Sequence, residues 1–201
     1  MGMGTTFTFK RRTWLAAAIL ACVITPAAIA AEVSGIKMPD TATVAGRELK
    51  LNGLGVRTKL FIKVYVAGLY LPEKTQDFAE LQKMDGPRRV TLVFMRDVSS
   101  EDFGNAYMQG LDQNLNQAEK SRLATNIGKS GDVFGRMDGL KKGDVVHIDW
   151  NPGLGTTYEV NGKKVNAPIP DLEYYHAMLR IWLGANPIDT KLKPKLLGIG
   201  R

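Results

Sequence analysis

The chain is poor in the side chains that carry most enzyme chemistry. Its 201 residues contain one cysteine and two histidines, so no Cys/His set has metal-ligand spacing and no disulfide framework is possible. The cysteine, Cys22, lies in the opening segment, and without that segment there is no thiol nucleophile. Charge of one sign is also scarce in blocks. Lys+Arg number 27 against 20 Asp+Glu. Removing Lys10, Arg11 and Arg12 leaves 24 basic residues and a net charge of +4. No dense basic tract of the nucleic-acid-binding kind exists. Gly53-Leu54-Gly55 lacks the third glycine and the following helix of a dinucleotide loop, and there is neither a Gly-Lys-Ser/Thr phosphate loop nor a Gly-x-Ser-x-Gly elbow. The carboxylates are scattered, with no two set apart as an acid/base pair. His147 alternates with Val145 and Asp149 and reads as a solvated strand face. His176 flanks an apolar helical stripe and reads as an edge or tyrosine contact. These absences predict no catalytic residue, metal, cofactor or nucleic-acid partner.

Long hydrophobic runs are missing too. The longest, Trp14 to Ile24, has 11 residues, too few for a helix that must cross the ~30 Å hydrocarbon core. Lys10-Arg11-Arg12 precede it and Ala27-Ala28-Ile29-Ala30-Ala31 follow, the three parts of a secretory signal peptide. Cleavage after Ala30 puts Ala28 and Ala30 at the small positions; cleavage after Ala31 fits nearly as well. Ile19-Leu20-Ala21-Cys22 loosely resembles a lipobox, with Leu20 large for its place, and Arg11-Arg12-Thr13-Trp14-Leu15 resembles a twin-arginine signal. The reading is a signal peptide over residues 1–30 and one mature domain over 31–201. That domain has no transmembrane segment and is expected in the periplasm.

The mature chain has no repeat or linker and reads as strands, helices, strands and a helix. Thr43–Ala45 and Glu48–Leu51 flank Gly46-Arg47 as a tight hairpin. Residues 56–71 and Arg88–Met95 are β-branched and aromatic runs. Ser99 and Asp102 resemble a capping box, with Asp in place of the usual Glu or Gln, ahead of Phe103, Tyr107, Leu111 and Leu115, spaced by four. Ala118–Ile127 is a second helix, stopped by Gly128. Asp144–Trp150 and Thr156–Val160 join across Asn151-Pro152-Gly153, and Asn161-Gly162 marks a two-residue hairpin into Lys163–Val165. Asp171 opens a last helix with a stripe of Leu172, Tyr175, Leu179 and Trp182, ended by Gly184. Lys191, Lys193 and Lys195 read as a solvated charged tail. The economical solution is an α+β domain, an antiparallel sheet with helices on one face.

The densest segment runs from Leu51 to Leu71. Straight alternation puts Arg57, Lys59, Phe61, Lys63 and Tyr65 on one face. That arrangement is a half-buried strand with a cationic outer side, or a guanidinium and a phenol at the mouth of an apolar cavity. The second reading meets a geometric difficulty, since eight residues of straight strand separate Arg57 from Tyr65 by about 26 Å. The two can share one carboxylate only if the chain reverses near Lys59–Phe61.

Gly53-x-Gly55-x-Arg57, then Lys63-Val64-Tyr65-Val66-Ala67-Gly68-Leu69-Tyr70-Leu71, resembles the signature of the chalcone isomerase-like family. Ile181-Trp182-Leu183-Gly184 and Leu192-Lys193-Pro194-Lys195-Leu196-Leu197-Gly198 resemble its C-terminal helix and tail. The likeness spans about residues 33–198 and is nearest the exported bacterial branch. It implies an open-faced β-sandwich, a large antiparallel sheet with helices over one face and a ligand cleft between. Members include chalcone-cyclising isomerases, plastid fatty-acid-binding proteins and non-catalytic relatives. Arg57 falls where both the isomerases and the fatty-acid binders place a cleft arginine. Tyr65 falls where the isomerases carry a catalytic threonine and the fatty-acid binders a tyrosine. Phe103, Gly110 and Ile181 stand where isomerases use a tyrosine, an asparagine and a Ser/Thr. The resemblance therefore implies an Arg57/Tyr65 site for a fatty acid or similar amphiphile, without isomerase activity. An intramolecular lyase acting on an enone, or an envelope scaffold with no small ligand, are the alternatives.

Overall fold

The computed structural model describes residues 1–4 and 30–200. Residues 5–29 of the expected signal peptide, with Cys22 and the export motifs, lie outside them. Two short strands come first, β1 (Ala30–Val33) and β2 (Ile36–Pro39), paired as a separate hairpin. Then follow β3 (Thr41–Val44), β4 (Arg47–Lys59), β5 (Ile62–Leu71), α1 (Phe78–Lys83), β6 (Arg88–Phe94), α2 (Ser100–Asp112) and α3 (Gln117–Gly135). The chain ends with β7 (Val145–Asn151), β8 (Gly155–Val160), β9 (Lys163–Lys164), α4 (Leu172–Leu183) and α5 (Leu192–Leu196). Strands β3 to β9 form one antiparallel sheet in sequence order, the α+β arrangement expected.

Alternation along β5 divides the two cores. Tyr65, Ala67, Leu69 and Leu71 face the helices, while Val66 and Tyr70 join Met38, Val44, Leu49 and Leu51 beneath the β1–β2 hairpin. Keeping both faces apolar along β4 requires a change of phase. A bulge at Asn52 provides it, because Leu51 pairs with Tyr70 and Gly53 with Leu69. The extra residue is anchored by its side chain. Asn52 Nδ2 donates to the Thr75 and Leu196 carbonyls, and its Oδ1 accepts from Thr75 N.

Several expected boundaries move. The first hairpin turns on Ala45-Gly46, one residue early, because glycine takes the second left-handed position (φ 73°) and Arg47 already belongs to β4. The Ser99 cap forms one way only: Ser99 Oγ accepts from Asp102 N at 3.0 Å, and α2 ends at Asp112, before Leu115. A reciprocal box forms instead on α3, between Asn116 and Glu119. Gly128 does not stop α3. It sits on the solvent face, while Leu123, Ile127, Ser130 and Phe134 continue the inward stripe past it. Helix α4 is capped by Asp171 and ended by Gly184 as expected, yet it is buried nearly all round, between α2, α3, α5 and β8. Leu172, first of its predicted stripe, is exposed.

The C-terminus is not a loose charged tail. Leu192, Leu196 and Leu197 are buried, and Lys193 Nζ donates to the Gly184 carbonyl. Helix α5 lies directly on β4, which explains the two glycines there. A Cβ on Gly53 would lie 2.0 Å from the Lys195 carbonyl oxygen, and one on Gly55 would lie 2.8 Å from Lys195 Cβ. Gly53→Ala is therefore expected to lower stability by about 3 kcal/mol or more. Gly128→Ala, in open space within a helix, is expected to raise it by about 0.5–1 kcal/mol. Urea midpoints of the two variants check both.

Candidate functional site

The straight run over residues 56–71 is broken by a two-residue reversal at Leu60 and Phe61, with φ of 48° and 68°. The reversal makes Arg57 and Tyr65 direct cross-strand partners. It also overturns the one-face assignment. Thr58 pairs with Lys63, leaving Val64 as a bulge that resets the alternation. Lys63 then reaches toward the β1–β2 turn, where its Nζ donates to Ser34 Oγ at 3.0 Å.

Arg57 Cζ sits over the Tyr65 ring, 5.4 Å from its centroid, within cation–π range. The phenol continues inward, and its oxygen accepts from Trp182 Nε1 at 2.9 Å. Tyr65 is 2% exposed. A phenol beside an arginine could be made more acidic, but here burial outweighs Arg57 and raises its pKa. The ring of Tyr65 thus faces Arg57, and its hydroxyl is seated on Trp182.

Arg57 has no such satisfaction. It is 8% exposed, its Nε is buried without a hydrogen-bond partner, and no carboxylate of the described residues lies within 4.0 Å of it. Asp189 comes near but is occupied, accepting from the backbone of Thr58, Lys191 and Leu192. Two hollows of about 260 and 440 Å³ open over the guanidinium and share Arg57, Lys59, Asp102 and Ala106. The first continues along Leu60, Ile62, Val64 and Val98; the second runs to Gln113, Pro187 and Ile188. A larger hollow, about 560 Å³, lies between α3 and the 163–169 segment. Its charged residues, Lys129, Asp132, Arg136, Lys163 and Lys164, are all exposed to solvent, and none is organised by burial.

Deeper between sheet and helices, the space is filled by aromatic rings. Phe94, Phe103 and Phe134 succeed one another at 5.8 and 4.9 Å between centroids, and Phe134 also meets Tyr107 and Tyr158. The hydroxyls of Tyr107, Tyr158 and Tyr174 bond to one another, and Tyr174 also to Ser130. Burial raises the pKa of all three phenols. The sequence reading missed this cluster; a hydroxyl at each of four apolar-face positions was its only signal. Gly110 brings α2 against α4, since a Cβ there would lie 2.8 Å from Ile181 Cγ2.

Neither histidine stands free. His147 is half-buried rather than on a solvated face, with Nδ1 2.9 Å from Thr91 Oγ1 on the neighbouring strand. Burial, and secondarily Arg89, lowers its pKa. His176 Nε2 lies 2.9 Å from Nη1 of Arg88, a wholly buried arginine. Burial, then Arg88 and Arg180, pushes the His176 pKa down to about 4. Among the described residues, no group of three or more His, Cys, Asp or Glu could hold a metal ion.

A meandering antiparallel sheet, one face under helices and a lone arginine at the margin of the layer, defines an open-faced β-sandwich with a cleft. The chain belongs to the chalcone isomerase-like family, whose sequence profile matches residues 30–198. Among solved structures it is similar to a fatty-acid binding protein of Arabidopsis thaliana, with a TM-score of 0.68 at 15% identity. That match covers 84% of this chain and 96% of the other, and at such identity it speaks for the fold. No curated protein matches by sequence.

The His176 shift carries a pH dependence. The unfolded chain takes up this proton near pH 6.5, at about the free histidine value, and the folded chain only near pH 4. The contribution to stability is whole above the first value and lost as pH falls through the second. Urea unfolding at stepped pH is expected to show that decline, and His176→Gln, which keeps an acceptor for Arg88, is expected to flatten it.

Proposed function

We propose that this protein is an exported, non-catalytic carrier that holds a fatty acid or similar amphiphilic carboxylate by its head group at Arg57. The observation that carries the reading is the state of that guanidinium: largely buried, its Nε unsatisfied, no carboxylate of the described residues within 4.0 Å, and two hollows opening over it. A buried cation without a counterion is costly, and a carboxylate arriving from the hollow offsets that cost through charge-assisted hydrogen bonds. Leu60, Ile62, Val64, Val98 and Ala106 give the first hollow an apolar wall along which an acyl chain can lie. Tyr65 serves from beneath, its ring supporting the guanidinium and Trp182 fixing the ring. The name of the Arabidopsis structure agrees with this chemistry.

Binding rather than turnover follows from what surrounds the pair. An enone cyclisation needs donors placed for a developing oxyanion. Phe103, Gly110 and Ile181 offer none at the positions where the resemblance places the isomerases' donors, and the Tyr65 phenol is made less acidic, not more.

The first test is native mass spectrometry and displacement titration with oleate. The wild-type chain is expected to take up one oleate, and Arg57→Gln to bind at least about tenfold more weakly, the size of one charge-assisted pair. Equal binding by Arg57→Gln, or none by the wild type, overturns the reading. For export, the full chain is expressed and the N-terminus of the recovered protein sequenced. A start at Ala31 or Glu32 is expected, and an intact Met1 in the periplasmic fraction refutes cleavage.

A further inference from the structure

Among the described residues, four two-residue hairpin turns use the left-handed region at both positions. Three of them, Ser34-Gly35, Ala45-Gly46 and Asn161-Gly162, end in glycine, the residue such turns favour. The fourth is Leu60-Phe61, with two bulky L side chains at φ 48° and 68°, a strained choice that folding alone does not explain. Nor does packing explain it. Leu60 is 81% exposed, Phe61 98% and the adjoining Ile62 49%. Asn-Gly at these positions would relieve the backbone and remove the apolar exposure together.

The charges beside the tip are mostly positive. Lys59 and Lys63 flank it, and Arg96 lines the same hollow as Leu60 and Ile62. None of the three is ion-paired among the described residues. Of the acids on that side, Asp97 is engaged by Lys141 and the Lys142 amide, and Asp102 faces the hollow.

From this arrangement we infer that the Leu60–Ile62 tip is a membrane-docking element. It sets its three apolar side chains into the interface of an anionic lipid bilayer, while Lys59, Lys63 and Arg96 meet the head groups. The shape favours a bilayer over a protein. A stable protein interface takes about 800 Å² from each partner, and a convex tip of three side chains offers far less. A bilayer accepts a narrow apolar wedge with cations at its rim, and such binding combines buried apolar area with attraction to anionic lipid. No described helix is long and apolar enough to cross a membrane. Docking also turns the hollow beside Leu60 and Ile62 toward the lipid. The inference does not require Arg57 to hold a ligand.

The test is flotation of the purified protein with vesicles of phosphatidylethanolamine and phosphatidylglycerol, against vesicles of phosphatidylcholine alone. Wild type is compared with the double variant Leu60→Asn/Phe61→Gly. Both are produced from the full chain, and their N-termini are confirmed identical. The wild type is expected to float with the anionic vesicles and weakly with the neutral ones. The double variant is expected to lose at least about tenfold in partitioning, with an unfolding temperature equal to or above that of the wild type, since its turn is relieved. Lys63→Gln is expected to cost about fivefold, one interfacial lysine. Flotation unchanged in the double variant, or absent in the wild type, overturns the inference. A concentration-dependent dimer that the double variant abolishes, without vesicle binding, assigns the tip to a second copy and also overturns it. Failure of the carrier reading remains separate, because oleate uptake is measured without vesicles.

Discussion

The pairing of β4 with β5 is the constraint on which the rest of this structure hangs. It is the longest strand contact in the sheet, and it is built with two bulges and a strained reversal. The bulge at Asn52 lets Leu49 and Leu51 face the β1–β2 hairpin while Gly53 and Gly55 face α5. The bulge at Val64 lets Tyr65 point to the helices although Lys63 points away. Between them the Leu60-Phe61 turn carries the chain back, so that Arg57 and Tyr65 become neighbours across two strands. Without the reversal they would lie about eight residues of strand apart.

Around that pair the chemistry is graded from satisfied to unsatisfied. Trp182 holds the Tyr65 hydroxyl, Tyr65 holds one face of Arg57, and the guanidinium Nε is buried without a hydrogen-bond partner among the described residues. The interior beyond is closed by edge-to-face aromatic contacts and a network of phenols whose protons burial retains. Space and unmet hydrogen-bonding capacity therefore coincide at the margin of the helix layer, beside the β4–β5 turn. Leu60 and Ile62, two of the exposed apolar side chains, line the same opening.

Periodicity and turn chemistry made much of the fold legible. Asn161-Gly162, the strands on either side of Asn151-Pro152-Gly153, and the helix from Asp171 to Gly184 are strong local signals, and each lies where expected. Misreadings arose where tertiary contact outweighed a local preference. Gly128 reads as a stop, yet the inward stripe of α3 carries the helix through it to Gly135. Lys191, Lys193 and Lys195 read as a solvated charged tail, yet three leucines and two strand glycines seat α5 on the sheet. The Leu60-Phe61 reversal has no glycine, asparagine or proline to announce it. Only the distance argument about Arg57 and Tyr65 pointed to a turn there.

By itself the sequence determined the class of the domain, the positions of Arg57 and Tyr65 as candidates, and the poverty of catalytic groups, because these depend on residue type, spacing and local propensity. The tertiary structure decided what those candidates are to each other. Whether an arginine meets a carboxylate, a ring or nothing depends on bulges, register and the approach of α2 and α4. Whether a phenol is acidified by a neighbouring cation or held protonated by burial depends on how deeply the helices cover it. Both are sums over residues far apart in the chain, and no local pattern encodes them.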